Sequence, residues 1–285
     1  MLFRSQKKLK AMDTLSERHF ARENALALRS ERLMHPLPKE SDVPRPAFLS
    51  AQRMGGDVER EFNAEGDAEL RKVGTVLNAD RLTNRGSIAA TDLTLMLNGA
   101  ADNQNGGKIV ARNGLTFNSA SLNNSGTLSG DNVKLNSTVL DNNGLIQGQQ
   151  ALDVRTTGLN NTGNGQLLSA GTMTLSGKQA TNGGLWQAQT LNLTADSLDN
   201  RGELNAGMQL LHLASALNNQ TGGRIVAQQG LTISAPTLTN DGTLSAPAVN
   251  LTADTLTNRG LLQGDNTLAL ALRQVANLSA GKVLT

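Results

Sequence analysis

The chain has 285 residues, a formal charge of +2 and only 2% aromatic residues, with one Trp and no Tyr. That excludes a core built on large rings, and the small charge without interleaved aromatics argues against a nucleic-acid partner. There is no Cys, so disulfide staples and thiolate metal sites are excluded, and no apolar run approaches the ~18 residues of a membrane span.

Residues 1–72 carry 14 Lys/Arg and 12 Asp/Glu, against 12 and 12 in residues 73–285. The composition therefore changes near Val73, and a domain boundary is expected there. Between Lys7 and Met34, Leu9, Met12, Leu15, Phe20, Leu26, Leu28 and Leu33 stand among charges, as in an amphipathic helix. Pro36, Pro38, Pro44 and Pro46 break it. The segment is expected to be part helical and part irregular, serving as a linker or cap.

From Val73 onward the chain repeats itself. The stretch GGKIVARNGLTFNSASLNNSGTLS from Gly106 returns as GGRIVAQQGLTISAPTLTNDGTLS from Gly222. The sharpest marker is Leu-x-Asn-x-Gly, with weaker copies between whole ones. Its asparagines are Asn84, Asn103, Asn124, Asn142, Asn161, Asn182, Asn200, Asn219, Asn240 and Asn258. Their spacings run 19, 21, 18 and repeat, each triplet summing to 58, and the next spacing of 19 falls on Asn277.

A second column follows each asparagine. It reads Ile88, Ile109, Leu128, Ile146, Leu167, Trp186, Leu204, Ile225, Leu244, Leu262 and Val283. These residues stand four positions after the asparagine, or six where a Gly-containing insertion widens the turn, as after Asn103, Asn161, Asn219 and Asn277. Leu115/Phe117, Met173/Leu175 and Leu231/Ile233 then alternate with polar residues, as half-buried strands do. After Ile88, Ile146, Leu204 and Leu262 the strand residues keep no common phase, so their facing is not assigned.

A unit of 18–21 residues cannot bury its own apolar face and must stack on its neighbours. Parallel stacking at ~4.8 Å per coil predicts an all-β fold, a β-solenoid of about ten coils. The asparagines then stand one above another, spaced for an amide ladder. The Gly two residues after the Asn in most copies suits a positive-φ turn. A leucine-rich repeat is disfavoured, because the LxL pair precedes the LxN pair and nothing reads as helix.

These serial Leu-x-Asn-x-Gly units, with GxL and LxL strands between them, resemble the haemagglutinin repeats of filamentous haemagglutinin-like exoproteins. Those are two-partner-secreted adhesins and contact-dependent growth inhibition toxins of Gram-negative bacteria. The resemblance covers about residues 75–285. It implies a right-handed parallel β-helix, an outer-membrane two-partner secretion transporter as partner, and a secreted or cell-surface location. No Asn-Pro, VENN or RGD sequence occurs, so the chain is expected to be an internal piece of a longer protein.

Chemistry is sparse. Asp80, Asp196 and Asp254 recur in one column, and Arg85, Arg201 and Arg259 in another. Column members three coils apart are separated by about 14 Å, whereas paired glycosidase carboxylates need about 5–9.5 Å. They read as solvated turn charges. Trp186 falls in the apolar column and reads as core; His19, His35 and His212 are scattered and suggest no metal site. No catalytic residue, cofactor or metal is expected.

The leading expectation is a structural stalk that presents an adhesive or toxic module away from the cell. A receptor- or glycan-binding solenoid, engaging a host or neighbouring-cell surface, is the alternative. A polysaccharide-degrading β-helix enzyme ranks third.

Overall fold

The computed structural model describes the side chains from Gly74 to Thr285, and the backbone of strands 52–54, 57–59, 61–64 and 67–70 upstream. The helix expected between Lys7 and Met34 lies outside the described residues. The described backbone upstream of Val73 is strand, and two of its four strands pair as the later coils do. Glu61–Ala64 lies parallel to Arg81–Asn84, and Asp67–Leu70 parallel to Ser87–Ala90. Parallel pairing thus reaches back past the change of composition.

The chain divides into two compact units, Met1–Ser137 and Thr138–Thr285. In the first, Gln52–Met54 and Asp57–Glu59 form an antiparallel pair. The rest is parallel. Thr75–Ala79 pairs with Leu93–Leu97, which pairs with Gly114–Asn124; Ser87–Ala90 pairs with Lys108–Ala111, which pairs with Thr127–Asn142.

The second unit stacks longer strands. Leu145–Asn161 pairs with Gln166–Ser169 and Thr172–Asn182; both pair with Leu185–Asn200, which pairs with Glu203–Asn219. Arg224–Ser234, Thr237–Asn240, Thr243–Asn258, Leu261–Asn277 and Lys282–Leu284 continue the parallel order.

Each coil runs through three strand segments with side chains alternating inward and outward, the period-two pattern of a pleated strand. The first segment points Ile146, Leu167, Trp186, Leu204, Ile225 and Leu244 inward in successive coils, all fully buried. The second carries two or three inward residues, such as Met173 and Leu175, then Leu191 and Leu193. The third ends on the motif asparagine. In the first unit Ile88, Ile109 and Leu128 form a column of their own, also fully buried. Phe117 and Trp186 are the only aromatics among the largest buried side chains, and Leu and Ile do the rest.

The four segments that the sequence left unphased are now placed. Leu93, Leu95 and Leu97 point inward, as do Leu152 and Val154. In the Leu204 coil, Gln209, Leu211 and Leu213 point inward, while Leu210 and His212 point out. Leu268, Leu270 and Leu272 stand in register with Val249, Leu251 and Ala253. The irregularity lies in the corner before this segment. From Ile146 to Leu152 takes six steps, and from Leu204 to Gln209 takes five. The register shift between Ala206 and Met208 against Arg224–Ser234 records that difference.

The asparagine ladder as candidate functional site

The motif asparagines are brought together as columns of touching amides. In the first unit Asn84 Nδ2 donates to Asn103 Oδ1 at 2.7 Å, and Asn103 Nδ2 to Asn124 Oδ1 at 2.7 Å. In the second, Asn142 donates to Asn161 (2.7 Å), Asn161 to Asn182 (2.8 Å), Asn182 to Asn200 (2.9 Å) and Asn200 to Asn219 (2.9 Å). Asn219 donates to Asn240, Asn240 to Asn258 and Asn258 to Asn277, each at 2.8 Å. All are fully buried except Asn277, which is exposed in the last coil. Every donor points toward higher residue numbers, so the amide dipoles align. Asn84 Oδ1, at the low-numbered end, is buried and has no donor among the described residues.

Eight of the eleven amides have a second duty that the sequence did not advertise. Asn161 Nδ2 also donates to the Gly165 carbonyl at 3.0 Å, Asn200 Nδ2 to Gly202 at 3.1 Å, and Asn219 Nδ2 to Gly223 at 3.3 Å. The side chain therefore clips its own turn as well as the next coil. The asparagine's backbone carbonyl serves the following coil too: Asn142 O accepts from Thr162 N at 2.9 Å, and Asn200 O from Gln220 N at 2.8 Å. Asn is the residue that fits. It offers a donor and an acceptor on a short stem, and a buried amide must satisfy both.

The glycines of the motif are explained by crowding, and the positive-φ expectation is corrected. Positive φ among the described glycines occurs at Gly74, Gly106 and Gly222 alone. At Gly202, a Cβ would overlap the carbonyl oxygen of Gly184 in the preceding coil; at Gly242 it would overlap that of Gly223. Backbones approach too closely there for any side chain.

Among the described residues the remaining candidates do not assemble into a reactive centre, and His19 and His35 lie outside those residues. Trp186 is fully buried between Leu167 and Leu204 in the register, and its indole nitrogen has no partner. His212 is exposed. Asp196 and Asp254 are exposed, and Asp254 meets Arg273 at 3.1 Å. Asp80 accepts from Asn98 at 2.7 Å. Arg85 Nε donates to Gln104, which donates to Asp102. Arg201, Gln220 and Asp199 repeat that chain of contacts on the surface of the second unit. Among the described residues no group of three or more His, Cys, Asp or Glu could hold a metal ion, and no helix is long and apolar enough to cross a membrane. In the last coil Val283 keeps its register with Leu262 but is exposed.

Parallel coils in register, an inward apolar column and a buried amide ladder define a parallel β-solenoid repeat protein. The chain belongs to the haemagglutinin repeat family, whose sequence model matches residues 60–105, 77–145, 127–202 and 198–285. It is similar to three bacterial proteins in particular. One is a tRNA nuclease CdiA of Escherichia coli, 32% identical over 213 residues, covering 74% of this chain and 6% of that protein. Another is a deoxyribonuclease CdiA of Dickeya dadantii, 33% identical over 210 residues, covering 73% and 5%. The third is a 16S rRNA endonuclease CdiA of Enterobacter cloacae, 34% identical over 191 residues, covering 67% and 6%. The chain thus spans about one-twentieth of the length of these relatives. No solved structure matches it.

Proposed function

We propose that this chain is a stalk segment of a secreted bacterial surface protein, a contact-dependent growth inhibition toxin or an adhesin, and that it holds an adhesive or toxic module away from the cell. The observation that carries this reading is the unbroken order of each ladder and apolar column. Stability that comes from neighbour on neighbour suits a part whose job is length. The relatives support the same division of labour. Their names give three different nucleic-acid targets, yet each matches this chain over a similar small share of its length. A segment common to three targets does not set the target, so the chain itself is read as non-enzymatic.

Export through an outer-membrane two-partner secretion transporter and display at the cell surface follow from the family reading. The ladder and the apolar column are the structural residues on which the stalk depends. Deleting residues 143–200, the interval of 58 between Asn142 and Asn200, tests this in the chain and in a full-length exoprotein carrying it. The expected result is a folded, shorter repeat region, measured by circular dichroism and by electron microscopy of the exoprotein, with the distal activity kept. Loss of that activity with the fold and export intact would refute the stalk reading in favour of a lateral binding or catalytic role.

A further inference from the structure

Six Asn-Gly dipeptides occur in the chain, beginning at Asn98, Asn105, Asn113, Asn143, Asn164 and Asn182. Such a pair can cyclise when the glycine nitrogen is free to reach the asparagine side chain and the asparagine is not held elsewhere. The structure holds five of the six. Gly99 N donates to Asp80 O at 2.8 Å, and the Asn98 amide donates to Asp80. Gly114 N donates to Asp92 at 3.0 Å, and Asn113 donates to the same carboxylate. Asn143 Oδ1 accepts from Thr162 Oγ1 at 2.7 Å. Gly165 N, after Asn164, donates to Thr162 O at 2.9 Å. Asn182 is a buried rung of the ladder, and Gly183 N donates to Asn161 O at 2.7 Å.

Asn105 differs on every count. It and Gly106 are exposed, and neither the Asn105 side chain nor the Gly106 N–H has a hydrogen-bond partner among the described residues. The two form the middle of a tight turn closed by Gly107 N donating to Gln104 O at 2.8 Å. Gly106 has φ +83°, and a Cβ built on it would meet nothing within 4 Å. A turn tip of this kind opens locally without disturbing the coil, whereas reaction at the held sites must wait for larger openings.

We infer that Asn105 is a site of spontaneous deamidation, the one Asn-Gly pair that the fold leaves reactive. The Gly106 nitrogen attacks Asn105 Cγ and gives up its proton. The bond from Cγ to the side-chain nitrogen breaks, and ammonia leaves. The resulting five-membered succinimide is opened by water at either carbonyl, giving aspartate or isoaspartate at position 105. Either product places a new carboxylate beside Gln104, whose side chain bridges Arg85 and Asp102. The buried rung at Asn103 keeps its partner on Asn124, so the modification marks the surface and spares the ladder.

The homologous turn at Gln220–Gly223 supplies an internal test. Its Gly222 has φ +85°, and Gly223 N donates to Gln220 O at 2.8 Å, but position 221 is an exposed Thr. The experiment ages the purified chain at mildly alkaline pH and follows each Asn-Gly peptide by mass spectrometry, with electron-transfer fragmentation to separate isoaspartate from aspartate. The expected result is reaction at Asn105 about ten-fold faster than at any other pair, because protection scales with local opening. In concentrated urea that preference should vanish. Thr221→Asn should create a second site reacting within about three-fold of Asn105, since the turn is the same. Reaction at another pair as fast as at Asn105, a preference that survives in urea, or an inert T221N would each overturn the inference.

Discussion

Replacing Asn200 with alanine breaks the second unit's ladder in its interior. Asn200 is fully buried, accepts from Asn182, and donates to Asn219 and to the Gly202 carbonyl. Those three hydrogen bonds go, at about 1 kcal/mol each, together with a long fourth from Asn200 Nδ2 to the Arg224 carbonyl at 3.5 Å. The former partners are left unequally. Asn182 Nδ2 keeps the Gly184 and Glu203 carbonyls, and Gly202 O keeps Arg224 N. Asn219 Oδ1 loses its donor from Asn200 inside the core, which raises the total to roughly 3–5 kcal/mol. Asn277→Ala is the matched control. That rung is exposed, water replaces it, and Asn258 Nδ2 keeps the Lys282 carbonyl, so the loss should stay below about 1 kcal/mol. Urea unfolding, followed by circular dichroism and by the emission of Trp186, reads both variants. Trp186 is the only Trp and lies on the strand that ends at Asn200. The N200A midpoint should fall by roughly 1–2 M. Equal midpoints for N200A and N277A would refute the idea that buried amide continuity stabilises the solenoid.

Three further predictions concern packing and charge. A small void is lined by Val154, Thr156, Leu159, Leu175 and Ala180, so Ala180→Val should raise the urea midpoint; nearby Gly177→Ala should lower it by the equivalent of about 1–3 kcal/mol, because the new Cβ meets the Thr156 carbonyl. Trp186→Phe removes a buried N–H that has no partner along with some volume, so it should shift stability by no more than about 1.5 kcal/mol, against about 3–5 kcal/mol for Trp186→Ala in differential scanning calorimetry. Asp254→Asn should leave the thermal midpoint unchanged at both low and high salt, because the Asp254–Arg273 pair is solvent-screened.

Much of this architecture is written in the spacing of single residue types. Parallel stacking sets corresponding positions of successive coils directly over one another. A column in space is therefore a period in sequence, and Asn161 or Leu167 can be assigned without coordinates. The two-residue offset after Asn103, Asn161 and Asn219 was legible for the same reason. Its Gly-containing insertion bulges outward while the inward residue returns to register.

What the sequence left undetermined lies where chain length and column position part company. The corner before the second strand segment absorbs either five or six steps, so counting from Leu204 does not reveal that Gln209 points inward and Leu210 outward. Gln209 is held there by bonds from its Nε2 to the Val226 and Leu204 carbonyls, partners that exist only once the coils are stacked. The glycine of the motif is a similar case. Its identity was visible, but the reason is a carbonyl one coil away rather than its own φ. Sequence alone determined the repeat and its columns, because these are periodic along the chain. The tertiary structure decided which way the amides point, which corners take up slack and which turn atoms stay free, because those depend on groups that meet only across coils.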